Sequence, residues 1–397
     1  MDLKDIRAEI DEIDSQLVEL LLRRMNCSEE VARYKAENNM PIFNNEREQQ
    51  IIDKVTANSG RYADCTRILF QNIMEISRGL QHDIIGSGKE LRKLFDSADS
   101  KAKINETHEK VACFGNAGSN THIALMKLFP ESEPVFYGKF SSVFEALENK
   151  EADYGIIPIE NSSAGSVIDV YDLMLQYRYY IVSAVDLKIN HCIAGVDGAE
   201  LSDVKEVYSK DQALAQCSKF IDEHKLSAML YASTSAAAKM VAEKGDKSLS
   251  AVCSAYAAKE YGLKVFAEGI QNDENNCTRF IIISKNPIIS DDADRISLCF
   301  SVSHVKGSLC SVLSRFSSHG LNLTKIESRP MVGKSFEYLF YLDFTGNAQS
   351  EHIKNLLCSL SEELPEFSFL GNYKELRFLL ADRLLKMLYV LQYAESS

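Results

Sequence analysis

Two stretches far apart in the chain carry residue types able to bind and transform an anion. In the first, an apolar run of strand character at residues 154–157 is broken by Pro158, after which Glu160, Asn161, Ser162 and Ser163 lead into a turn at Gly165. Val167, Val170, Leu173 and Met174 then recur at helical spacing. Strand, polar turn and helix together place backbone N–H groups and hydroxyls at the carboxyl edge of a sheet, where anions bind. In the second, Asn276-Cys277-Thr278-Arg279 sets a hydroxyl and a guanidinium at the mouth of a buried-type strand, Phe280-Ile281-Ile282-Ile283. Taken alone, Asn161, Ser162 and Ser163 are better read as turn formers and a helix cap.

More cations lie on a long helix. Residues 2–37 contain neither Gly nor Pro, and Ile6, Ile10, Ile13, Leu17, Leu20 and Leu21 recur at spacings of four and three. Pro41 ends this amphipathic helix, and further helices are expected at about 45–58 and 62–81. One helix far longer than its neighbours cannot close a compact core alone, so intertwining with a second copy is expected. Arg24 and Lys35 share a face about 16 Å apart, which leaves room for a small dianion. Arg7 lies about 25 Å from Arg24 and about a quarter turn round the helix, so it reaches that pocket only from an antiparallel partner. The alternative is that all three are solvated surface charges.

The 397 residues imply roughly two to four domains. A net charge of −13 argues against nucleic acid or an anionic membrane as partner, so an anionic substrate must be held by local Arg and Lys. The start, Met1-Asp2-Leu3-Lys4, lacks the pattern of a secretory leader, no run reaches transmembrane length, and a cytoplasmic enzyme is expected. Ten cysteines without a Cys-x-x-Cys pair read as reduced thiols rather than disulfides or a zinc site. No glycine-rich nucleotide motif occurs, so neither cofactor nor metal is expected.

The elements that must position these groups follow in order. Residues 86–109 read largely as a linker, with Leu91, Leu94 and Phe95 marking a short helix. From Val111 the pattern becomes repeated strand, turn and helix, with turns at 115–119, 209–211 and 231–235, reading as a two-lobed α/β domain around an anion cleft. From Arg295 a β-α-β-β-α-β order follows the ferredoxin-like plan. Leucines between Tyr373 and Tyr393 then predict a closing helix.

Pro158-Ile159-Glu160-Asn161-Ser162-x-x-Gly165-x-Val167 and Asn276-x-Thr278-Arg279-Phe280 resemble the two signature motifs of prephenate dehydratases. The whole chain resembles the bifunctional chorismate mutase–prephenate dehydratase family with a C-terminal ACT regulatory domain. The resemblance implies an all-helical, intertwined mutase domain at 1–85, a linker at 86–109, a two-lobed dehydratase domain at 110–290 and a ferredoxin-like ACT domain with its closing helix at 291–397. In the mutase it implies that Arg7 from the partner, Arg24 and Arg47 hold two carboxylates, Lys35 and Gln81 serve the ether oxygen, and Glu48 takes the ring hydroxyl. Asn44 stands where the family has Asp, which still leaves a hydrogen-bond acceptor.

In the dehydratase, Thr278 is implied as the group assisting hydroxide departure. Ser119, Asn161 and Ser162 would hold oxyanions, Glu160 would orient them and Arg279 would supply positive charge, with Gln216 in a further matching segment. Asn116 and the Lys210-Asp211 pair depart from the family's Pro and His-Pro. Gly307-Ser308-Leu309, and Asn322 and Leu323 with Glu327-Ser328-Arg329-Pro330, resemble the stretches that bind phenylalanine between two ACT domains. The implied partners are chorismate, prephenate, the effector phenylalanine and a second copy of the chain, as dimer or tetramer. Competing readings are a solute-binding protein, a ligand sensor without catalysis, and a dehydratase whose mutase domain serves only dimerisation.

Overall fold

A computed structural model describes residues 2–99, 109–304, 307–331, 334 and 337–377. They fall into two compact units, one made of the chain up to Ala98 with Arg295–Phe369, the other of Asp99–Asp294 with the chain from Leu370.

The first unit opens with α1 (Leu3–Glu37), α2 (Asn45–Ala57), α3 (Ala63–Ile85) and α4 (Lys89–Ser97). The apolar stripe of α1 is 38–57% exposed from Ile6 to Leu21, so the chain's own described residues do not cover it. Only the C-terminal half of α1 is drawn in, at Ser28 and Ala32.

The second unit carries β1 (Lys110–Phe114), α5 (Asn120–Leu128), β2 (Glu133–Tyr137), α6 (Phe140–Glu148), β3 (Tyr154–Asn161), β4 (Gly165–Ser166), α7 (Ile168–Tyr177) and β5 (Tyr180–Lys188). It continues through β6 (Cys192–Gly195), β7 (Glu206–Ser209), α8 (Asp211–Gln216), α9 (Ser218–Glu223), β8 (Ser227–Leu230), α10 (Thr234–Lys244), β9 (Leu249–Cys253), α11 (Ala255–Glu260), β10 (Lys264–Glu268) and β11 (Cys277–Ser284). One mixed sheet runs β5-β11-β3-β1-β2, the other β10-β6-β9-β7-β8. Each has its own core: Val111, Leu125, Ile156, Val185 and Phe280 in the first lobe, Ala238, Val241 and Ala251 in the second. The two-lobed α/β domain is therefore as expected.

One strand differs from expectation. Strand β3 does not stop at Pro158 but continues to Asn161. Proline cannot donate to the ladder, and the register slips there, Phe280 facing Pro158 while Arg279 faces Glu160, so a bulge accommodates it. The bulge re-aims the end of the strand. Strands β1 and β3 are parallel and β11 is antiparallel to β3, which brings the turn after β1, the end of β3 and the start of β11 to one edge.

At that edge the first lobe meets the second. Ser254 Oγ donates to the Gly118 carbonyl at 2.9 Å, and Tyr261 Oη to that of Ala117 at 3.0 Å. Gly118 has φ +79°, and a Cβ there would sit 2.7 Å from Ala257 Cα, so both conformation and space demand glycine.

The chain ends with β12 (Arg295–Ser301), α12 (Ser308–Ser318), β13 (Leu323–Pro330), β14 (Tyr338–Thr345), α13 (Glu351–Glu363) and β15 (Ser368–Arg377). This is the expected β-α-β-β-α-β order, with β14 antiparallel to both β12 and β13. The helical segment packs on this fold within the first unit. Gly88 N donates to Glu362 at 2.5 Å, Lys354 reaches Asp96 at 3.1 Å, and Phe95 meets Phe369 edge-on at 5.0 Å.

Residues 89–97 are thus a packed helix rather than part of a tether. The short helix expected from Leu91, Leu94 and Phe95 is present, and its packing partners on the C-terminal fold are far away in the sequence. The closing helix is also corrected at its start. Lys374–Arg377 continue β15 and pair in parallel with Ser183–Asp186, occupying the open edge of β5, while the leucines beyond lie outside the described residues. Among the described residues no helix is long and apolar enough to cross a membrane, and no His, Cys, Asp and Glu cluster suits a metal.

A buried charge cluster joins α3 to the C-terminal fold. Glu363 on α13 lies 2.6 Å from His82 Nε2, 3.0 Å from Arg315 and 3.3 Å from Arg78. Burial alone would raise its carboxyl, but these three cations and donors overcome it and hold Glu363 at about 2, against an ordinary 4.5. An acid held below its unfolded value stabilises the fold fully above that value and loses the contribution as pH falls through the folded one. The first unit should therefore lose on the order of 3 kcal/mol from this group as pH drops from its ordinary range towards 2. Denaturant titrations across that range should show Glu363→Gln less stable at neutral pH and with a flatter acid dependence.

Candidate active sites

In the first unit, three helices enclose a cavity of about 380 Å³. Its wall is Arg24, Ser28 and Lys35 from α1, Asn44, Arg47 and Glu48 at the start of α2, and Ser77, Arg78 and Gln81 from α3. Six of the seven residues expected for a mutase pocket are thus assembled. Arg7, near the exposed start of α1, is not among them. Arg24 Nη1 donates to Ser77 Oγ at 2.6 Å, and Lys35 Nζ donates to the Ile42 carbonyl at 2.5 Å and to Gln81 Oε1 at 3.0 Å. Burial lowers both Arg24 and Lys35, and Glu48 opposes it. Asn44 Oδ1 accepts from Arg47 N at 2.9 Å, so this residue caps α2 and sets Arg47 and Glu48 in its first turn. Ser77 and Arg78 were missed. Ser77 stands four residues before Gln81, a spacing that puts both on one helix face.

In the second unit, the edge shared by β3 and β11 is built round Asn161. Its Nδ2 donates to Asn276 Oδ1 at 2.8 Å, to Thr278 Oγ1 at 2.8 Å and to the Cys277 carbonyl at 3.1 Å. Its Oδ1 accepts from Ser163 N at 3.0 Å and Ala164 N at 2.9 Å, closing the turn. Ser162 Oγ accepts from Cys277 N at 2.9 Å. Thr278, Asn161 and Ser162 are therefore brought together. Ser119 stands on the neighbouring turn as cap of α5, accepting from His122 N at 3.2 Å. Gln216, across in the second lobe, meets His191 Nε2 at 3.2 Å, and burial lowers His191.

Arg279 is placed otherwise than expected. Successive strand residues face opposite sides, so the side of β11 that presents Thr278 to Asn161 turns Arg279 away. It forms a bidentate pair with Asp186 at 2.8 and 3.1 Å and also contacts Glu375. Burial alone would lower this guanidinium, but the two carboxylates raise it, and its charge is matched there. Glu160 aligns with Arg279 in the ladder and shares its side. Asn276, the first residue of the motif that holds Thr278 and Arg279, accepts from Asn161. It is 1% exposed, and its Nδ2 has no partner among the described residues.

In the C-terminal fold, Gly307, Ser308 and Leu309 line a cavity of about 310 Å³ with His304, Glu337 and Tyr338. Gly307 has φ +87° and caps α12. Asn322 precedes edge strand β13, which starts at Leu323 and carries Glu327, Ser328, Arg329 and Pro330. Those residues are not in the lining of that cavity.

A helical pocket rich in cations and an amide-and-hydroxyl edge between two α/β lobes define a two-site enzyme for small anions. The chorismate mutase type II family model matches residues 6–82 and the prephenate dehydratase model residues 111–288. The bifunctional chorismate mutase/prephenate dehydratase of Aquifex aeolicus is 31% identical over 94% of this chain and 98% of its own. Arogenate dehydratase 2 of Petunia hybrida is 37% identical over 66% of this chain and 71% of its own. The crystal structure of the Arthrobacter aurescens prephenate dehydratase in complex with L-Phe, 30% identical, superposes with TM-score 0.62 over 66% of this chain and 89% of that one. The chain belongs to the bifunctional chorismate mutase/prephenate dehydratase family.

Removing the Arg279 charge strands Asp186 and Glu375. Arg279→Met should cost about 3–5 kcal/mol in the second unit. Its thermal transition should fall while that of the first unit stays in place, readable by calorimetry.

Proposed function

We propose that this chain rearranges chorismate to prephenate in the helical pocket and converts prephenate to phenylpyruvate at the Asn161–Thr278 edge. The observation that carries the reading is the convergence of Arg24, Lys35, Arg47 and Gln81 round one cavity in a chain of net charge −13. The first reaction is a [3,3] shift in which one C–O bond breaks as one C–C bond forms, so no nucleophile is required. Arg24 and Arg47, with Arg7 from a second copy, grip the two carboxylates in the compact conformer. Lys35 stabilises the negative charge growing on the ether oxygen, and Gln81 adds a donor once its amide turns from Ser77 and Lys35. The exposed stripe on α1 and the distance of Arg7 from the pocket support an antiparallel homodimer, with tetramers a further step.

In the second reaction the ring carboxylate leaves as CO₂, its bonding electrons aromatise the ring, and the ring hydroxyl leaves with one proton as water. Thr278 Oγ1 accepts from Asn161 at 2.8 Å, which turns its own O–H proton towards the departing hydroxyl. A threonine hydroxyl is a weak acid, so aromatisation supplies the driving force. Ser119, Ser162 and the turn amides hold the oxyanions, and Gln216 borders them from the second lobe. A mutase in the same chain favours prephenate over arogenate as the substrate. The C-terminal fold is read as an ACT domain that binds phenylalanine between the 307–309 turn of one copy and the 322–330 stretch of another, as feedback inhibitor. Unbridged buried thiols at Cys192 and Cys253 support a cytoplasmic setting.

Purified protein supplied with chorismate should consume it and release phenylpyruvate. Thr278→Val should reduce phenylpyruvate formation at least about 100-fold while chorismate disappears at the unaltered rate; loss of both activities would contradict the assignment. Burial lowers Lys35, which must be charged to act. Chorismate turnover should thus decline with rising pH below the ordinary lysine range, and prephenate turnover should not follow it.

A further inference from the structure

Arg78 stands in the wall of the helical pocket, yet no part of the mutase reading uses it. Each edge of its guanidinium meets a different carboxylate. Nη1 lies 2.6 Å from both oxygens of Glu48, Nη2 lies 3.2 Å from Glu75, and Nε lies 3.3 Å from Glu363. The Phe43 ring, 5.2 Å from Cζ to centroid, lies against the guanidinium. With the fork's N–H directions fixed by its planarity, three anchors leave it no freedom to rotate.

The anchors are fixed in turn by the C-terminal fold. Glu363 is held by His82 and by Arg315, which also reaches Ser359, and Glu75 accepts from Ser311 on α12. A rigid path therefore runs from α12 and α13 through one guanidinium to a carboxylate in the pocket. Because Nη1 sits evenly between its two oxygens, Glu48 is pinned in one plane, and each oxygen keeps a lone pair for another donor.

We propose that Arg78 is a positioning residue for the mutase site, aiming Glu48 at the substrate's ring hydroxyl, and that Glu363 on the C-terminal fold completes its hold. This rests on the mutase reading of the pocket. It makes the C-terminal fold a structural partner of the first reaction, whatever ligand that fold binds.

The test compares chorismate with an analogue whose ring hydroxyl is replaced by hydrogen, on full-length protein carrying Arg78→Met, Arg78→Lys or Glu363→Gln. A residue acting through Glu48 affects only the substrate that Glu48 contacts. The ratio of kcat/KM for chorismate over the analogue should fall about tenfold in Arg78→Met and about threefold in Glu363→Gln, with the analogue's own kcat/KM within about twofold. Arg78→Lys, which keeps the charge without the fork, should fall between, and serves if the Met variant does not fold. Prephenate turnover in the same samples, unchanged within about twofold, reports an intact second unit. Equal losses on both substrates, or an unchanged ratio, overturn the proposal. Wild-type protein that leaves chorismate untouched overturns the mutase reading itself, and this role with it.

Discussion

A small dianion must be held by a chain whose own charge is −13, so everything depends on where the cations face. A buried guanidinium or ammonium calls for a matching carboxylate or ligand, because an unmatched charge inside the fold is costly. Arg279, Arg315 and Arg78 are matched by Asp186, Glu363 and Glu48. Arg24, Lys35 and Arg47 make no such ion pair within 4 Å among the described residues, and all three line the helical cavity. The division between paired and unpaired cations coincides with that cavity, with little reference to motif.

The second site uses the complementary solution. With Arg279 matched, the edge at Asn161 presents neutral donors: amides, hydroxyls and turn N–H groups at the carboxyl ends of β1 and β3. Such donors are fixed by the ladder and by the bulge at Pro158, so they need not reorganise as charge shifts in the substrate. Asn161 binds three partners through one nitrogen and two through its oxygen, which makes it the keystone of that edge. Neither Asp nor Ala reproduces that pattern of donors and acceptors.

Much of this was legible in the sequence where local physics decides. The periodicity of α1, α2 and α3, the strand–turn–helix repeats and the β-α-β-β-α-β tail all follow from apolar spacing. The face shared by Arg24 and Lys35 follows from helical rise alone. What escaped notice depends on long-range partners. Nothing near Arg78 in the chain announces Glu363, and nothing near residue 373 announces the open edge of β5. The side on which Arg279 lies is different in kind. Period-two alternation after Thr278 already places it opposite the hydroxyl, and the motif's compactness obscured that.

The helical segment is tied to the C-terminal fold by buried charge. Its pocket sets one anion, Glu48, beside the cations Arg24, Lys35 and Arg47. Glu48 stands among these unpaired cations and opposes the lowering that burial imposes on Lys35 and Arg24. A separate cation, Arg78, holds both of its oxygens at 2.6 Å. Glu75 and Glu363 also pair with Arg78, and Glu363 belongs to the C-terminal fold. A three-helix pocket short of a core of its own thus shares buried charge with a neighbouring fold through Arg78 and Glu363.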